Sequence, residues 1–499
     1  MTTPGGSQRK RRSAGAPVSY ICLVLAALSA VAASENPLVV IISLTAIAII
    51  WMGALSSPFR VLMAAYLLFE WLQASGSVWI TTLFGIDMSV PQTVFLSRGD
   101  QIFQTPTMAE AATVLAVAAV AMVALGARLF APRLVSFEPC VSEFSASRLF
   151  VGYLVLLLVS MVVGPFTGGG LAQPLIVLGS LRLAFALLLL FSWVTIGRGF
   201  VPLLIVVAIE IVVGFTGFFS GFKNIFIVLG TGLLMVRRDH WARVAPALFI
   251  GFVSLLVLAT VWTAVKVQYR AALNQDKPGQ NITIGVKERL ETLLGLVKEL
   301  DREDFADGAV NLAMRIAYTE YLAKVLEYVP DARPYEHGAL WGEAIHHVLT
   351  PRILFPDKEV LTSDSERTML YTGEDLASGD EGTSISIGYV GDSYIDFGFP
   401  GALAIPFMLG ILYALMARHI LAATPGRDIT VGIAVLVVVL SPVQQFEIGS
   451  IKLFPGVLWA WIVGSFTVWI VWPRVRPFFC AAPNAPSAWR TNARPLLRG

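Results

Sequence analysis

Five cations, each in apolar or rigid surroundings, are the residues of this chain best suited to chemistry. Arg182 lies deep in an apolar run, Gly179-Ser180-Leu181-Arg182-Leu183-Ala184, and Lys223 follows Phe219-Ser220-Gly221-Phe222. A cation at the centre of a membrane helix costs about 2.5–3.5 kcal/mol on insertion scales, so such residues usually face an interior site. Nearer a helix end, as Lys223 is, the side chain can instead snorkel to the headgroups. Arg315 is flanked by Ala313, Met314, Ile316 and Ala317, and a half-buried cation needs an anionic partner. Arg352 and Lys358 accompany Pro351 and Pro356, which fix the backbone of a rigid turn and make a plausible anion site there. Brought together at the outer leaflet, the five would suit a diphosphate. Further candidates are His346 and His347 on a short helical stretch, and Asp392 within Gly391-Asp392-Ser393-Tyr394-Ile395-Asp396.

The elements that must position these residues are membrane helices. Of 499 residues, 56% are hydrophobic and 14% charged, with mean hydropathy +0.72; soluble domains carry about 25% charged residues. A span needs roughly 20 apolar residues. By that measure the sequence predicts spans near 18–34, 37–55, 57–75, 107–130, 148–166, 172–196, 199–215, 219–236, 244–266, 397–419, 427–443 and 453–473. The fold class is therefore all-α integral membrane, with about twelve transmembrane helices. The chain divides into a disordered cytoplasmic N-terminus (1–17), helices one to nine (18–266), a large extracytoplasmic loop (267–396), helices ten to twelve (397–473) and a cytoplasmic tail (474–499).

Orientation follows the basic residues beside short loops. Arg9, Lys10, Arg11 and Arg12 place the N-terminus in the cytoplasm. Alternation then brings Arg60, Arg128, Arg133, Arg148, Arg198, Arg237, Arg238, Arg243, Arg418 and Arg427 to the same side, and the tail cations with them. The short outer connections keep Arg98 and Lys452. The first apolar run reads as an uncleaved anchor, because Glu35-Asn36-Pro37 leads straight into a second span. Cys22, Cys140 and Cys480 give neither a disulfide framework nor a metal spacing. No Gly-rich phosphate loop is present, which argues against ATP coupling, and no nucleic-acid partner is expected.

Within the loop, apolar spacing predicts a helix over 286–300 and a second over 309–328, the latter carrying Asn311, Arg315 and Tyr318 as one polar stripe. A short helix is predicted over 339–349. The acidic stretch 362–381 has no periodicity and reads as a solvated loop or flap.

Several of these residues resemble one known family. Pro351 to Lys358, Thr383-Ser384, Gly388 and Gly391 to Gly398 with Gly401, together with Ser220-Gly221-Phe222-Lys223, are similar to the pattern of bacterial oligosaccharide repeat-unit polymerases, the O-antigen or Wzy-type polymerases. One departure is Asp392, where the family pattern leads us to expect Glu. The resemblance implies a GT-C-like, metal-independent glycosyltransferase without cofactors, in the bacterial inner membrane with both termini cytoplasmic. Donor and acceptor would be glycans on polyprenyl diphosphate. An acceptor hydroxyl would attack the anomeric carbon with inversion as the lipid diphosphate leaves. Arg182, Arg315 and Arg352 would hold diphosphate, supported by Lys223 and Lys358. Asp392, His346 and His347 are the candidate bases, and Tyr318 and Tyr394 would stack on sugars or simply pack. A chain-length regulator and a flippase are the expected protein partners. Competing readings are an O-antigen ligase, a lipid-linked glycan flippase or transporter, and a non-catalytic export scaffold.

Overall fold

The computed structural model describes residues 15–52, 54–89, 93–95, 101–104, 106–133, 137–163, 172–218, 221–236, 240–275, 282–350, 355, 362–376 and 384–481. The expected disorder of residues 1–17 falls mostly on residues outside this set. The described chain is helical apart from one small antiparallel pair, β1 (Thr93–Phe95) with β2 (Gln101–Gln104). Helices α1 (Gly15–Ala33), α2 (Pro37–Trp51), α3 (Pro58–Phe84) and α4 (Ala109–Leu129) open the bundle. There follow α5 (Ala146–Val163), α6 (Ala172–Ser180), α7 (Arg182–Ile196), α8 (Phe200–Phe215), α9 (Lys223–Met235) and α10 (Trp241–Asn274). The insert holds α11 (Val286–Glu299), α12 (Arg302–Ile316), α13 (Glu320–Tyr328), α14 (Ala339–Leu349) and α15 (Asp364–Thr372). The chain closes with α16 (Gly388–Ala423), α17 (Ile429–Val439), α18 (Ser450–Phe466) and α19 (Trp472–Phe479).

Six of the described helical stretches are long and apolar enough to cross a membrane: Pro58–Phe84, Ala109–Leu129, Gln173–Ile196, Trp241–Asn274, Gly388–Ala423 and Ser450–Phe479. Shorter apolar helices accompany them, so the chain fits a multi-pass membrane protein. Each stretch predicted as a span coincides with a helix, but several boundaries differ. Helix α3 runs nine residues beyond the predicted end at 75 because its polar stretch finds partners inside the bundle. Ser77 Oγ lies 2.9 Å from Thr113 Oγ1 and 3.0 Å from Thr319 Oγ1, and Gln73 Oε1 accepts from the Phe446 N–H at 3.3 Å. Likewise the last helix continues to Phe479, because Arg476 is neutralised by Asp428 (2.7 Å) and Glu143.

Small residues set the tightest packing. The α4–α16 contact is close because Gly126 lies against the Phe407 carbonyl and Gly410 against the Val123 carbonyl, leaving no room for a side chain at either. Helix α16 breaks at Gly398, whose φ of 58° favours glycine and whose missing side chain admits the Tyr335 ring. The apolar window of α10, by contrast, is largely uncovered, with Phe249, Ile250 and Phe252 each more than 60% exposed. Such a surface belongs in lipid.

The insert is more helical than its sequence suggests. The predicted helices over 286–300 and 339–349 appear as α11 and α14. The stretch 362–381, read as a loop, contains α15, closed at its N-terminus by the Ser363/Glu366 capping box. The helix expected over 309–328 is two helices, since α12 ends at Ile316 and α13 starts at Glu320. Asn311, Arg315 and Tyr318 therefore form no single stripe.

Candidate functional site

Two groups of ionised side chains stand out, one gathering cations and one pairing cations with acids. The first surrounds the C-terminal end of α10. At about 1.5 Å per residue this 34-residue helix is roughly 50 Å long, well beyond a hydrocarbon core of about 30 Å. Its inner stripe, Trp262, Val265, Tyr269 and Leu273, packs with Phe215, Phe218, Phe222 and Leu293. Phe215 stacks on Phe222 with ring centres 4.3 Å apart. Lys266 and Arg270, four apart, flank this stripe on one face.

Helix α12 brings Arg315 beside them. Its start is fixed by a capping box between Asp301 and Asp304, and Gly308 lets it approach α10, where a side chain would meet the Thr260 carbonyl and Ala264 at 3.0 Å. Arg315 is exposed and acts electrostatically on both Lys266 and Arg270, and these two act on each other. Arg270 also donates to the Phe218 carbonyl (3.1 Å) and lies 4.9 Å over the Phe218 ring. Arg289, on α11, donates to the Thr216 carbonyl at 3.0 Å. Two arginines thus clamp the α8–α9 connection, and the half-buried Lys223 begins α9 at its far end. Among the described residues, no ion pair neutralises Lys266 or Arg315. The result is a basic collar whose members repel one another, and a multivalent anion would relieve that repulsion.

The second group knits the insert to the bundle through the two acids of the Gly391–Asp396 motif. Asp392 and Asp396, four apart on α16, each close the N-terminus of another helix. Asp396 accepts from the N–H groups of Leu340 (3.0 Å) and Trp341 (2.9 Å) at the start of α14, and Trp341 Nε1 donates to Ser393 Oγ at 3.1 Å. Asp392 Oδ2 accepts from the Ser450 N–H at 2.6 Å, at the start of α18. Both are carboxylates at helix N-termini, where orphan N–H groups and the dipole favour negative charge. Asp392 also faces Arg367 Nη1 at 3.7 Å, and Arg367 Nη2 reaches Glu343 at 2.7 Å. Lys452 pairs with Asp364, which also accepts from Ser384 at 3.3 Å. Tyr371 donates to Glu336 at 2.9 Å; burial first, then this contact, pushes its phenol up to about 12.

The candidates from the sequence divide between these groups. Arg315 and Lys223 belong to the collar region. Arg182 does not: it forms a two-pronged pair with Glu210 (Nε–Oε1 2.5 Å, Nη2–Oε2 3.0 Å) and donates to the Gly179 carbonyl (2.9 Å), while Tyr153 donates to the same carboxylate at 2.9 Å. Its charge is answered inside the bundle, and α7 packs on α5, α8, α9 and α17 whereas α12 packs on α3 and α10. Arg352 and Lys358 lie outside the described residues.

Asp392 is 1% exposed and engaged by Ser450 and Arg367, so it organises a helix start and presents no open side to an acceptor hydroxyl. Tyr394 is buried, edge-on to Tyr335, with its hydroxyl donating to the Val329 carbonyl at 3.3 Å; no face is free for a sugar. Tyr318 donates to the Ser386 carbonyl at 2.7 Å, and burial raises its phenol above the usual tyrosine range. His346 is exposed on α14, and His347 is half-buried. Lys266, Arg270, Arg289 and Arg367 were not singled out from sequence. The i, i+4 spacing of Lys266 and Arg270 at a span end signals the first two, and the Ser363-x-x-Glu366 box signals the helix that buries Arg367. Among the described residues, no group of three or more metal-binding side chains occurs.

No curated protein matches the chain, and no solved structure matches it. One family model does, described as a domain of unknown function (DUF8712), over residues 77–437. That stretch takes in the whole collar together with Arg367, Asp392 and Asp396, and it covers well over half of the sequence. The chain belongs to the DUF8712 family.

Proposed function

We propose that this protein is a membrane glycosyltransferase that joins oligosaccharide repeat units carried on polyprenyl diphosphate. The observation that carries the reading is the collar: Lys266, Arg270 and Arg315 sit together, without neutralising partners for Lys266 and Arg315 among the described residues, where α10 leaves its apolar stretch. A lipid-linked diphosphate places its charge at that depth and its hydrocarbon along the uncovered face of α10. In the transfer, an acceptor hydroxyl forms the new bond to the anomeric carbon as the bond to the diphosphate oxygen breaks. Negative charge grows on the departing diphosphate, and fixed cations stabilise it more in the transition state than in the ground state. With so good a leaving group a general base matters less; exposed His346 and half-buried His347 are the remaining candidates from the sequence.

In this reading the chain crosses the inner membrane twelve times, with a GT-C-like arrangement, the insert outside and both ends in the cytoplasm. The resemblance of Gly391 to Gly398 and of Ser220 to Lys223 to repeat-unit polymerases supports it. So does the absence of any basic residue from the short connections expected outside, apart from Arg98 and Lys452. The test is a reaction of the purified full-length protein with a lipid-diphosphate-linked repeat unit, with EDTA and no added metal. The expected product is a ladder of lipid-linked oligomers. Unchanged substrate from folded protein would contradict the proposal, and activity that returns only with magnesium would contradict the metal-independent mechanism.

A further inference from the structure

We propose that α11, in the insert, lies in the bilayer–water interface and sinks one apolar face into the lipid of the adjoining leaflet. Its apolar residues Val286, Leu290, Leu293, Leu294, Leu296 and Val297 fill one arc of the helix. Half of that arc is used inside the protein. Leu293 is buried and packs with Trp262, Val265, Tyr269 and Leu273 of α10, and Leu296 and Val297 join the same cluster. The other half is uncovered among the described residues. Val286 is 59% exposed, Leu290 37% and Leu294 50%, and their i, i+4, i+8 spacing makes them one stripe. In the orientation proposed above, the leaflet concerned is the outer one.

Two fastenings set the depth of α11. Arg289 donates at 3.0 Å to the carbonyl of Thr216, the residue that closes α8. Leu293 joins a cluster that spans Lys266 on α10, from Trp262 to Leu273, where the apolar stretch of that helix gives way. The helix is thus held at the level where two apolar helices run out. The lipid-facing side of α10 reaches that level too, since Phe249, Leu256 and the 70% exposed Val267 share one face. At that depth an apolar stripe meets headgroups and upper acyl chains. The charges fit this occupant. Lys287, which also pairs with exposed Glu291 at 3.7 Å, and Lys298 border the stripe, where they can snorkel to phosphates. Glu288 and Glu299 lie on the opposite side of the helix. A second copy packed on the same stripe would set these lysines against one another.

The experiment is site-directed spin labelling of the full-length protein in vesicles of phosphatidylethanolamine and phosphatidylglycerol, with Cys22, Cys140 and Cys480 replaced by Ser. Nitroxides at Leu290→Cys and Leu294→Cys are expected to collide with oxygen and to be shielded from a water-soluble nickel chelate, at a depth of roughly 5–10 Å into the headgroup–acyl boundary. Labels at Glu288→Cys and Glu299→Cys should stay open to the chelate, and Phe249→Cys gives the reading for a lipid-facing position. Each labelled position is exposed, so the label leaves the packing intact. Free access of the chelate to positions 290 and 294 would overturn the proposal by placing the stripe in water. Shielding there from chelate and oxygen alike would overturn it by placing a protein on the stripe.

Discussion

The Lys266–Arg270–Arg315 collar and the Asp392–Arg367–Asp364 network are both built on the insert and the helix ends beneath it, yet their charges are arranged in opposite ways. In the network, carboxylates meet cations or helix N-termini: Asp392 takes the Ser450 N–H, Asp396 takes two N–H groups of α14, and Lys452 answers Asp364. Deep in the bundle, Arg182 and Glu210 follow the same pattern. In the collar, Lys266 and Arg315 lie beside further cations and make no ion pair among the described residues. The first arrangement holds the fold together; the second stores a repulsion that a ligand can remove. The lesson is that a charge in an apolar setting marks a binding site only when the protein leaves it unanswered.

The comparison breaks most visibly at Arg182. Arg182→Ala strands Glu210 inside the bundle and should cost about 3–5 kcal/mol, read as a lower unfolding temperature of the purified protein. Replacing both partners, as Arg182→Met with Glu210→Leu, should recover most of that loss. A substantial loss of transfer in that double variant, with stability restored, would return Arg182 to the diphosphate site. Next in size is Arg315→Gln. It should lower transfer about 100-fold while leaving the unfolding temperature unchanged or slightly raised, because it removes a repulsion.

Asp396→Ala should cost about 1–2 kcal/mol through loss of the α14 cap, and Asp396→Asn should restore part of it, both read by thermal unfolding. The smallest effect concerns Tyr371. Its phenol keeps the proton up to about pH 12 in the folded protein and loses it near pH 10 when unfolded, so folded-state stability falls as pH rises between those values. Tyr371→Phe should show a shallower decline over that interval.

Much of the architecture was legible in the sequence because apolar run length marks membrane helices: six of the twelve predicted spans are met by helices long and apolar enough to cross, and the rest by shorter helices. Boundaries failed where polar residues are satisfied inside the protein, as at Gln73 and Ser77, since run length cannot see a partner on another helix. The candidate site was legible in part. Arg315 stood out by its apolar neighbours, whereas Lys266 and Arg270 carry only an i, i+4 spacing at a span end, and their place beside Arg315 depends on how α12 packs on α10. Arg182 stood out for depth, and depth says nothing about Glu210, 28 residues away in sequence and hydrogen-bonded to it. The Gly391–Asp396 motif was conspicuous for its acids. That they close helix starts at Leu340 and Ser450 follows from the fold and not from spacing.

Binding of an unglycosylated polyprenyl diphosphate to the full-length protein in micelles, compared across variants, separates the collar from the paired arginine. Lys266→Gln and Arg315→Gln are each expected to weaken binding about tenfold or more, whereas Arg182→Met with Glu210→Leu should leave it near wild type. Wild-type affinity in both collar variants, with the paired double variant impaired instead, would contradict the assignment to the collar.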